Sequence, residues 1–340
     1  MIVSQIKDTN YLYFSLHAEE VFTSNYIKDN NEGIFIRSLQ YETICRLLIF
    51  LQDNPDPDVK YIILDFKFIR HLQSNIFDKI IEIRQLNFKL VYINVSSQLI
   101  TPLSLNAVEN PNNIQNDNEG FDTFYFFSNE NEEIYDIEIK ANNIFDNYFE
   151  KLIKKYVIPY EKKHVSSFVY LYSFIDLKKL ISNENPFIYF ALYKLAVKIY
   201  IRWKIEIKNN PILVCQSLTS TFIVSILSKL LNLDILVFDK IGPITKLYNK
   251  LEKHNFENRK YIIVSDLVCL GTEVKITKNL IEFSGGKYLG NVSLVKIETL
   301  TREDLQLDNI DRTIAIFSVS ESNNQELDYY IYTNLKASNE

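Results

Sequence analysis

Glycine is scarce in this sequence, with seven residues in 340. That scarcity leaves no GxGxxG run and no P-loop, so those two nucleotide-binding turns are excluded. Cysteine is nearly as rare. Cys45, Cys215 and Cys269 lie far apart and match neither zinc spacing nor a disulfide framework, which points to a reducing cytoplasm. The four histidines, His17, His71, His164 and His254, form no i,i+4 pair, and none neighbours a cysteine or a carboxylate cluster. No metal site and no Ser-His-Asp arrangement is expected from them. Positive charge is not in excess: 37 Lys and Arg stand against 43 Asp and Glu, a net charge of -6, so a general nucleic-acid surface is not expected. The first residues, MIVSQIKDTN, lack the basic region and apolar core of a signal peptide. The most apolar long stretch, Pro186–Trp203, contains Lys194 and Lys198. It reads as a buried amphipathic helix and not as a membrane span.

What is present is ample apolar material: 47% of residues are hydrophobic and 14% aromatic, enough for two cores in a chain of this length. The pattern is α/β and falls into two domains, expected at 1–135 and 140–335. In the first, Ile34–Arg37, Tyr61–Phe66 and Lys89–Asn94 read as strands, and Tyr41–Gln52 and Ser74–Gln85 carry helical spacing. Tyr61–Asn94 should therefore be a parallel strand–helix–strand unit. Leu105–Gly120, rich in Asn, Pro and Asp, reads as a polar loop, and Phe121–Phe127 as a last strand. In the second domain, Ala141–Tyr156 opens with a helical apolar stripe. Phe168–Leu171, Pro211–Cys215, Ile235–Phe238, Lys260–Ser265, Tyr288–Ile297 and Thr313–Val319 read as strands. Pro186–Trp203, Ser220–Leu231 and Glu273–Phe283 read as helices between them. This alternation predicts a parallel sheet whose ligand site lies at the carboxyl ends of the strands.

Four of the seven glycines fall between positions 271 and 290, inside YIIVSDLVCLGTEVKITKNLIEFSGGKYLG (Tyr261–Gly290). A strand, a glycine turn and a helix N-terminus in succession can cradle a phosphate with backbone N–H groups. Cys215–Thr221, the Asp239–Arg259 loop and Ser265–Thr272 all follow strands of the expected sheet and should converge on one crevice. Gln216, Ser217, Leu218, Thr219 and Ser220 form the first of these loops, with Thr219 or Ser220 as the expected helix N-cap.

The Tyr261–Gly290 stretch resembles the phosphoribosyl-diphosphate motif of type I phosphoribosyltransferases, the orotate branch above all. Tyr170–Ser182 (YLYSFIDLKKLIS), Ile212–Thr221 (ILVCQSLTST) and Val237–Tyr248 (VFDKIGPITKLY) resemble three further segments of that family, in the family's order, over roughly residues 140–320. The resemblance implies a phosphate-sugar ligand, Mg²⁺ carried on its pyrophosphate, and a homodimer in which a loop lysine neutralises pyrophosphate charge. It assigns that catalytic role to Lys240, with Lys246 as a second cation. It makes Asp266 the carboxylate for the ribose hydroxyls. Ligand contacts fall to Gln216, Ser217, Leu218, Thr219, Ser265, Cys269, Leu270, Gly271 and Thr272. Departures are equally plain. Ser265 stands where the family has a first acid, Cys269 and Leu270 where it has two threonines, and Glu273 where a small hydroxyl residue is usual. Lys178 replaces the arginine of an "Asp-Leu-Arg" element begun by Asp176, and lysine lacks the bidentate fork.

The first domain resembles, faintly, the STAS fold, on YIILDFKFIRHLQSNIFDKI followed by KLVYINVS. There Gln73-Ser74-Asn75 occupies a turn that in the family carries a phosphorylatable serine. With its neighbouring acid and glycine missing, Ser74 is expected to be a helix cap. The two resemblances together imply a phosphoribosyltransferase-like protein with degenerate catalysis and a sensing or assembly role, docking a protein partner through the first domain. An active transferase acting on a nucleobase and a purely structural module are the alternatives.

Overall fold

The computed structural model describes residues 1–8, 11–23, 34–86, 88–105, 123–127, 135–158, 164–166, 169–171, 174–238, 256–269, 271–298, 313–320 and 330–331. The chain is an α/β protein that divides into two compact units, Met1–Phe149 and Glu150–Glu340. The division falls inside a helix, Tyr135–Lys155, whose first residues hold the boundary expected at 135–140. The apolar stripe of that segment continues the helix without a break, so no linker composition marks the change. Most of the polar loop expected at Leu105–Gly120 lies outside the described residues. Among the described residues no helix is long and apolar enough to cross a membrane.

In unit 1 the strands are β1 (Ile6–Asp8), β2 (Tyr11–Ser15), β3 (Tyr61–Asp65), β4 (Lys89–Val95) and β5 (Thr123–Phe127), side by side in that order. The β1–β2 pair is antiparallel and every other pair parallel. Helices α1 (Leu16–Thr23), α2 (Tyr41–Asp53) and α3 (Ile76–Arg84) lie between them in sequence. Alternation places Leu12, Phe14, Ile62, Leu64, Leu90 and Tyr92 on one face, packed on Ile44, Leu47, Leu48 and Leu51 of α2 and Ile76, Ile80 and Ile83 of α3. Those helix positions recur at the 3–4 residue spacing of one helical face. Ile34–Arg37, expected as a strand, is not laddered; the pairing falls on Ser38–Leu39, parallel to His71–Leu72.

Two buried carboxylates hold this unit's joints. Glu19, 2% exposed, accepts from the backbone N–H groups of Val3 (2.7 Å) and Ser4 (2.6 Å) and from the Ser4 hydroxyl (2.9 Å). Glu20, fully buried, accepts from the Gln40 N–H at 2.7 Å. Gln40 is the N-cap of α2 and has no cap of its own side chain, so a carboxylate from another helix satisfies it. Gln73 Oε1 serves the next donor, the Tyr41 N–H, at 2.8 Å. Ser74 does not cap α3: the N-cap is Asn75, left-handed at φ 66° and without a side-chain cap bond. The αL turn rotates the preceding serine out of capping position and leaves it exposed.

In unit 2, β6 (Ile212–Cys215), β7 (Ile235–Val237), β8 (Lys260–Val268), β9 (Lys287–Glu298) and β10 (Thr313–Ser320) form one sheet in the order β7-β6-β8-β9-β10. All four pairings are parallel. Helix α4 (Tyr135–Lys155) spans the division, and α5 (Leu177–Asn183), α6 (Asn185–Arg202), α7 (Leu218–Leu231) and α8 (Thr272–Phe283) follow within unit 2. Ile212, Val214, Tyr261 and Ile263 share the face that packs on Val274 and Ile281 of α8. Pro186, in the first turn of α6, needs no N–H there. Gly286 links α8 to β9 in close quarters. A Cβ added there would meet Ile281 Cγ2 and Tyr261 Cε2, each at 2.7 Å.

Two outcomes follow. Gly286→Ala should lower unit 2 stability by about 1–3 kcal/mol, the usual range for overpacking, measured by chemical denaturation. In unit 1, burial raises the Glu20 carboxyl above its ordinary 4.5, and Thr43, Gln40, Glu19 and Glu42 act on it in smaller measure. A carboxyl raised in the fold stabilises on the acid side and loses that contribution as pH climbs from the unfolded value through the folded one. The thermal midpoint of Glu20→Gln minus that of the wild type should therefore widen as pH rises above 4.5. A constant difference across the titration would contradict the reading.

Candidate functional site

The connections of unit 2 fix where a site can form. From β6 the chain crosses to β7 on one side, and from β8 to β9 on the other. Right-handed crossovers in opposite directions send α7 and α8 to opposite faces, leaving a crevice at the carboxyl ends of β6 and β8. A narrow cleft with room for about one water molecule lies there. It is lined by Gln216, Ser217 and Ser220 at the start of α7, Ser265 of β8, and Glu273 and Thr277 of α8.

The first loop is closed on itself. Ser217, not Thr219 or Ser220, is the N-cap of α7. Its hydroxyl accepts from the Ser220 N–H (3.0 Å) and donates to the Ser220 hydroxyl (2.8 Å), and its carbonyl accepts from the Thr221 hydroxyl (2.9 Å). The extended φ/ψ of an N-cap falls on Ser217 because the helix begins at Leu218, two residues earlier than its apolar pattern suggests. Thr219 and Ser220 are buried, while Leu218 is 88% exposed. Gln216 reaches across the cleft, its Nε2 donating to the Glu273 carbonyl at 3.4 Å.

The second loop is shorter than expected. β8 does not stop at Ser265 but runs to Val268, because β9 stays paired with it as far as Val268–Lys296. The pleat consequently sends Ser265 and Asp266 to opposite faces. Ser265, 7% exposed, faces the cleft; its register partner is Ser293, fully buried with no hydrogen-bond partner on its hydroxyl. Asp266 accepts from the Leu267 N–H at 2.9 Å. Burial raises its carboxyl above the ordinary range, opposed by that N–H and by the Lys178 ammonium nearby. Burial likewise raises Glu273, and the Asp266 charge adds to it. Gly271, left-handed at φ 67°, is the N-cap of α8 and leaves the first N–H groups of the helix without a side-chain cap. Thr272 opens that helix, half-buried, as is Cys269. Lys240, Lys246 and Leu270 lie outside the described residues.

Asp176 is engaged as the N-cap of α5, accepting from the Lys179 N–H at 3.1 Å; its neighbour Lys178 is exposed. Thr277 and Ser293 were not singled out by the sequence reading. Thr277 stands one turn after Glu273 and donates to its carbonyl at 2.8 Å, a helical spacing that the sequence does display. Ser293 lies in an apolar strand, where only its register with Ser265 gives it meaning. Among the described residues, no group of three or more His, Cys, Asp or Glu could hold a metal ion.

No protein-family model matches the chain, and neither does any curated protein. Solved structures show a distant likeness. The orotate phosphoribosyltransferase of Aeropyrum pernix is 13% identical, over 50% of this chain and 93% of its own, with a TM-score of 0.35. That of Mycobacterium tuberculosis, in complex with inorganic phosphate, is 10% identical over 51% and 88%, TM-score 0.36. UMP synthase of Leishmania donovani is 14% identical over 77% and 55%, TM-score 0.36. At these values the chain is assigned to no family.

The closed loop gives a test of its own. Ser217→Ala should cost about 1 kcal/mol of unit 2 stability and Ser217→Gly only a few tenths, as for other N-caps. Equal losses in urea unfolding would mean that the hydroxyl does something other than cap.

Proposed function

We propose that unit 2 binds a phosphate-sugar ligand, such as phosphoribosyl diphosphate or a nucleotide, in this cleft, with little or no transfer activity, and that the protein works as a sensor or assembly component. The observation that carries the reading is the cleft's position at the reversal of strand order, beside the uncapped N-terminus of α8. The first N–H groups of a helix favour an anion there through unsatisfied donors and the helix dipole. The sequence order of the four segments resembling type I phosphoribosyltransferases supports the same ligand class.

The chemistry of the lining argues against turnover. Ser265 is neutral, Asp266 lies on the other face of the strand, and Ser217 is committed to its own helix. Each missing hydrogen bond to a charged group is worth about 1.5–3 kcal/mol. Two or three such losses amount to roughly 10²–10⁶-fold in affinity or rate. The cleft as it stands has room for about one water molecule, far below the roughly 300–1,000 Å³ of pockets that enclose drug-sized ligands, so a phosphate sugar would have to widen it. Glu273 adds negative charge that a bare phosphate must tolerate. Mg²⁺ on a pyrophosphate would relieve that charge, and Glu273, which lines the cleft, is the carboxylate it would meet. Unit 1, with its antiparallel entry hairpin followed by parallel strands, suits the docking role of a STAS-like domain, in a cytoplasmic protein.

Titration calorimetry with phosphoribosyl diphosphate, pyrophosphate and nucleotides, with and without Mg²⁺, should detect binding of at least one of them. A radiolabelled transfer assay over several bases should detect no turnover. Ordinary metabolic turnover abolished by Asp266→Asn would make the protein an active transferase. No binding at millimolar concentration would leave a structural module.

A further inference from the structure

Segments 34–41 and 66–77 of unit 1 contain no Asp or Glu, in a chain whose net charge is -6. They run side by side. Ser38 pairs with His71, and the N–H groups of Arg70 and His71 both donate to the Arg37 carbonyl, at 2.7 and 3.0 Å. Arg37, Lys67 and His71 are exposed, and Phe35, Phe68 and Arg70 half-buried. The Phe35 and Phe68 rings meet edge to face at 5.3 Å, with the Lys67 ammonium 5.8 Å from the Phe68 centroid. Glu42, paired with Arg46, and Asp78, in the first turn of α3, are exposed acids that follow the two segments; Asp65, which precedes the second, is 5% exposed and turned inward. Its carboxylate accepts from the Tyr13 hydroxyl (2.6 Å), the Asn94 amide (2.9 Å) and the Lys67 N–H (2.9 Å), so it does not neutralise the outer face.

Phe68 is held there against its backbone preference. The Ile69 N–H donates to the Phe66 carbonyl at 2.8 Å, closing a tight turn, and Phe68 is that turn's third residue at φ 72°. Glycine takes this position without strain, whereas a bulky side chain with positive φ is an outlier. The Phe68 ring is wedged between Phe35 and the buried His17 imidazole, whose centre lies 5.0 Å away, and the remainder of the ring faces solvent beside Lys67.

We propose that this face docks an acidic, extended segment of a protein partner. Its carboxylates would meet Arg37, Lys67 and Arg70, and an aromatic or aliphatic side chain would rest on Phe68. Arginine and aromatic residues are the types that anchor protein interfaces, and the pattern of charge selects an acidic occupant. The exposed part of the Phe35–Phe68 pair beside these cations favours an occupant with apolar side chains over a bare polyphosphate chain. The inference gives a surface to the docking role proposed for unit 1 and involves no residue of the phosphate cleft.

The test is fluorescence anisotropy of a labelled Glu–Tyr copolymer with the full chain. A Lys–Tyr copolymer and a labelled oligo-dT serve as comparison probes. The Glu–Tyr copolymer should bind, more weakly as salt rises, and R37E/R70E should weaken it by about ten-fold or more. K204E/K208E, an equal charge change on exposed residues of unit 2, should leave binding unchanged. Phe68→Gly suits the turn; it should keep the far-ultraviolet circular dichroism of the wild type and lose about ten-fold in affinity. That variant decides the matter should the charge reversal fail to fold. Absence of copolymer binding, equal losses in both charge-reversal variants, or full affinity in Phe68→Gly would overturn the proposal. Tighter binding of oligo-dT, lost in R37E/R70E, would replace it with a nucleic-acid site. Calorimetry of phosphate ligands fails or succeeds independently of all these outcomes.

Discussion

The reversal of strand order between β6 and β8 is the constraint on which unit 2 depends. Once a right-handed chain leaves one strand leftward and its neighbour rightward, no helix can roof the gap between their carboxyl ends. Every side chain of the candidate site owes its place to that topological fact. Ser217 and Gln216 are there because α7 departs to one face, Glu273 and Thr277 because α8 departs to the other. The packing that enforces this is ordinary: Val214 and Ile263 in register beneath Val274 and Ile281.

Among the described residues, unit 1 has no such reversal. Its parallel strands advance in one direction, β2 to β5, so its chemistry gathers at joints instead of in a crevice. Glu19 and Glu20 accept from the amides that begin the chain and begin α2, and each keeps one buried carboxylate oxygen without a partner. Burial also holds the His17 imidazole neutral, its pKa pushed down to about 3. These groups tie the unit's stability to pH without lining any cleft.

The α/β class and most strands of both units are legible in the sequence because short β-branched runs alternate with amphipathic spacing, a signal that packing reinforces. What is not legible has identifiable causes. Asp266 looks like a strand end, since acids favour turns, yet pairing with β9 carries the strand past it. Ser217 is hidden as a cap because three more hydroxyl residues follow at positions 219–221, and only geometry chooses among them. Ser74 looks like a cap until Asn75 takes the left-handed turn. Glu19 and Glu20 read as solvated charges, as most glutamates are; their burial depends on amides far away in sequence. Of the candidate site, the loops are visible in the sequence, but the face on which each side chain falls is a property of register.

The uneven length of β8 has a further consequence. β6 accompanies it only to Ile263, whereas β9 follows it to Val268. Past Ile263 the β6-facing edge of β8 therefore has no strand beside it among the described residues, and main-chain amides and carbonyls border the cleft. Recognition through such an edge is written in atoms common to every residue. It would be independent of which side chains stand at positions 265 and 269, and alanine scanning would pass over it unmarked. Amide-to-ester exchange along residues 265–268 is the chemistry able to read it.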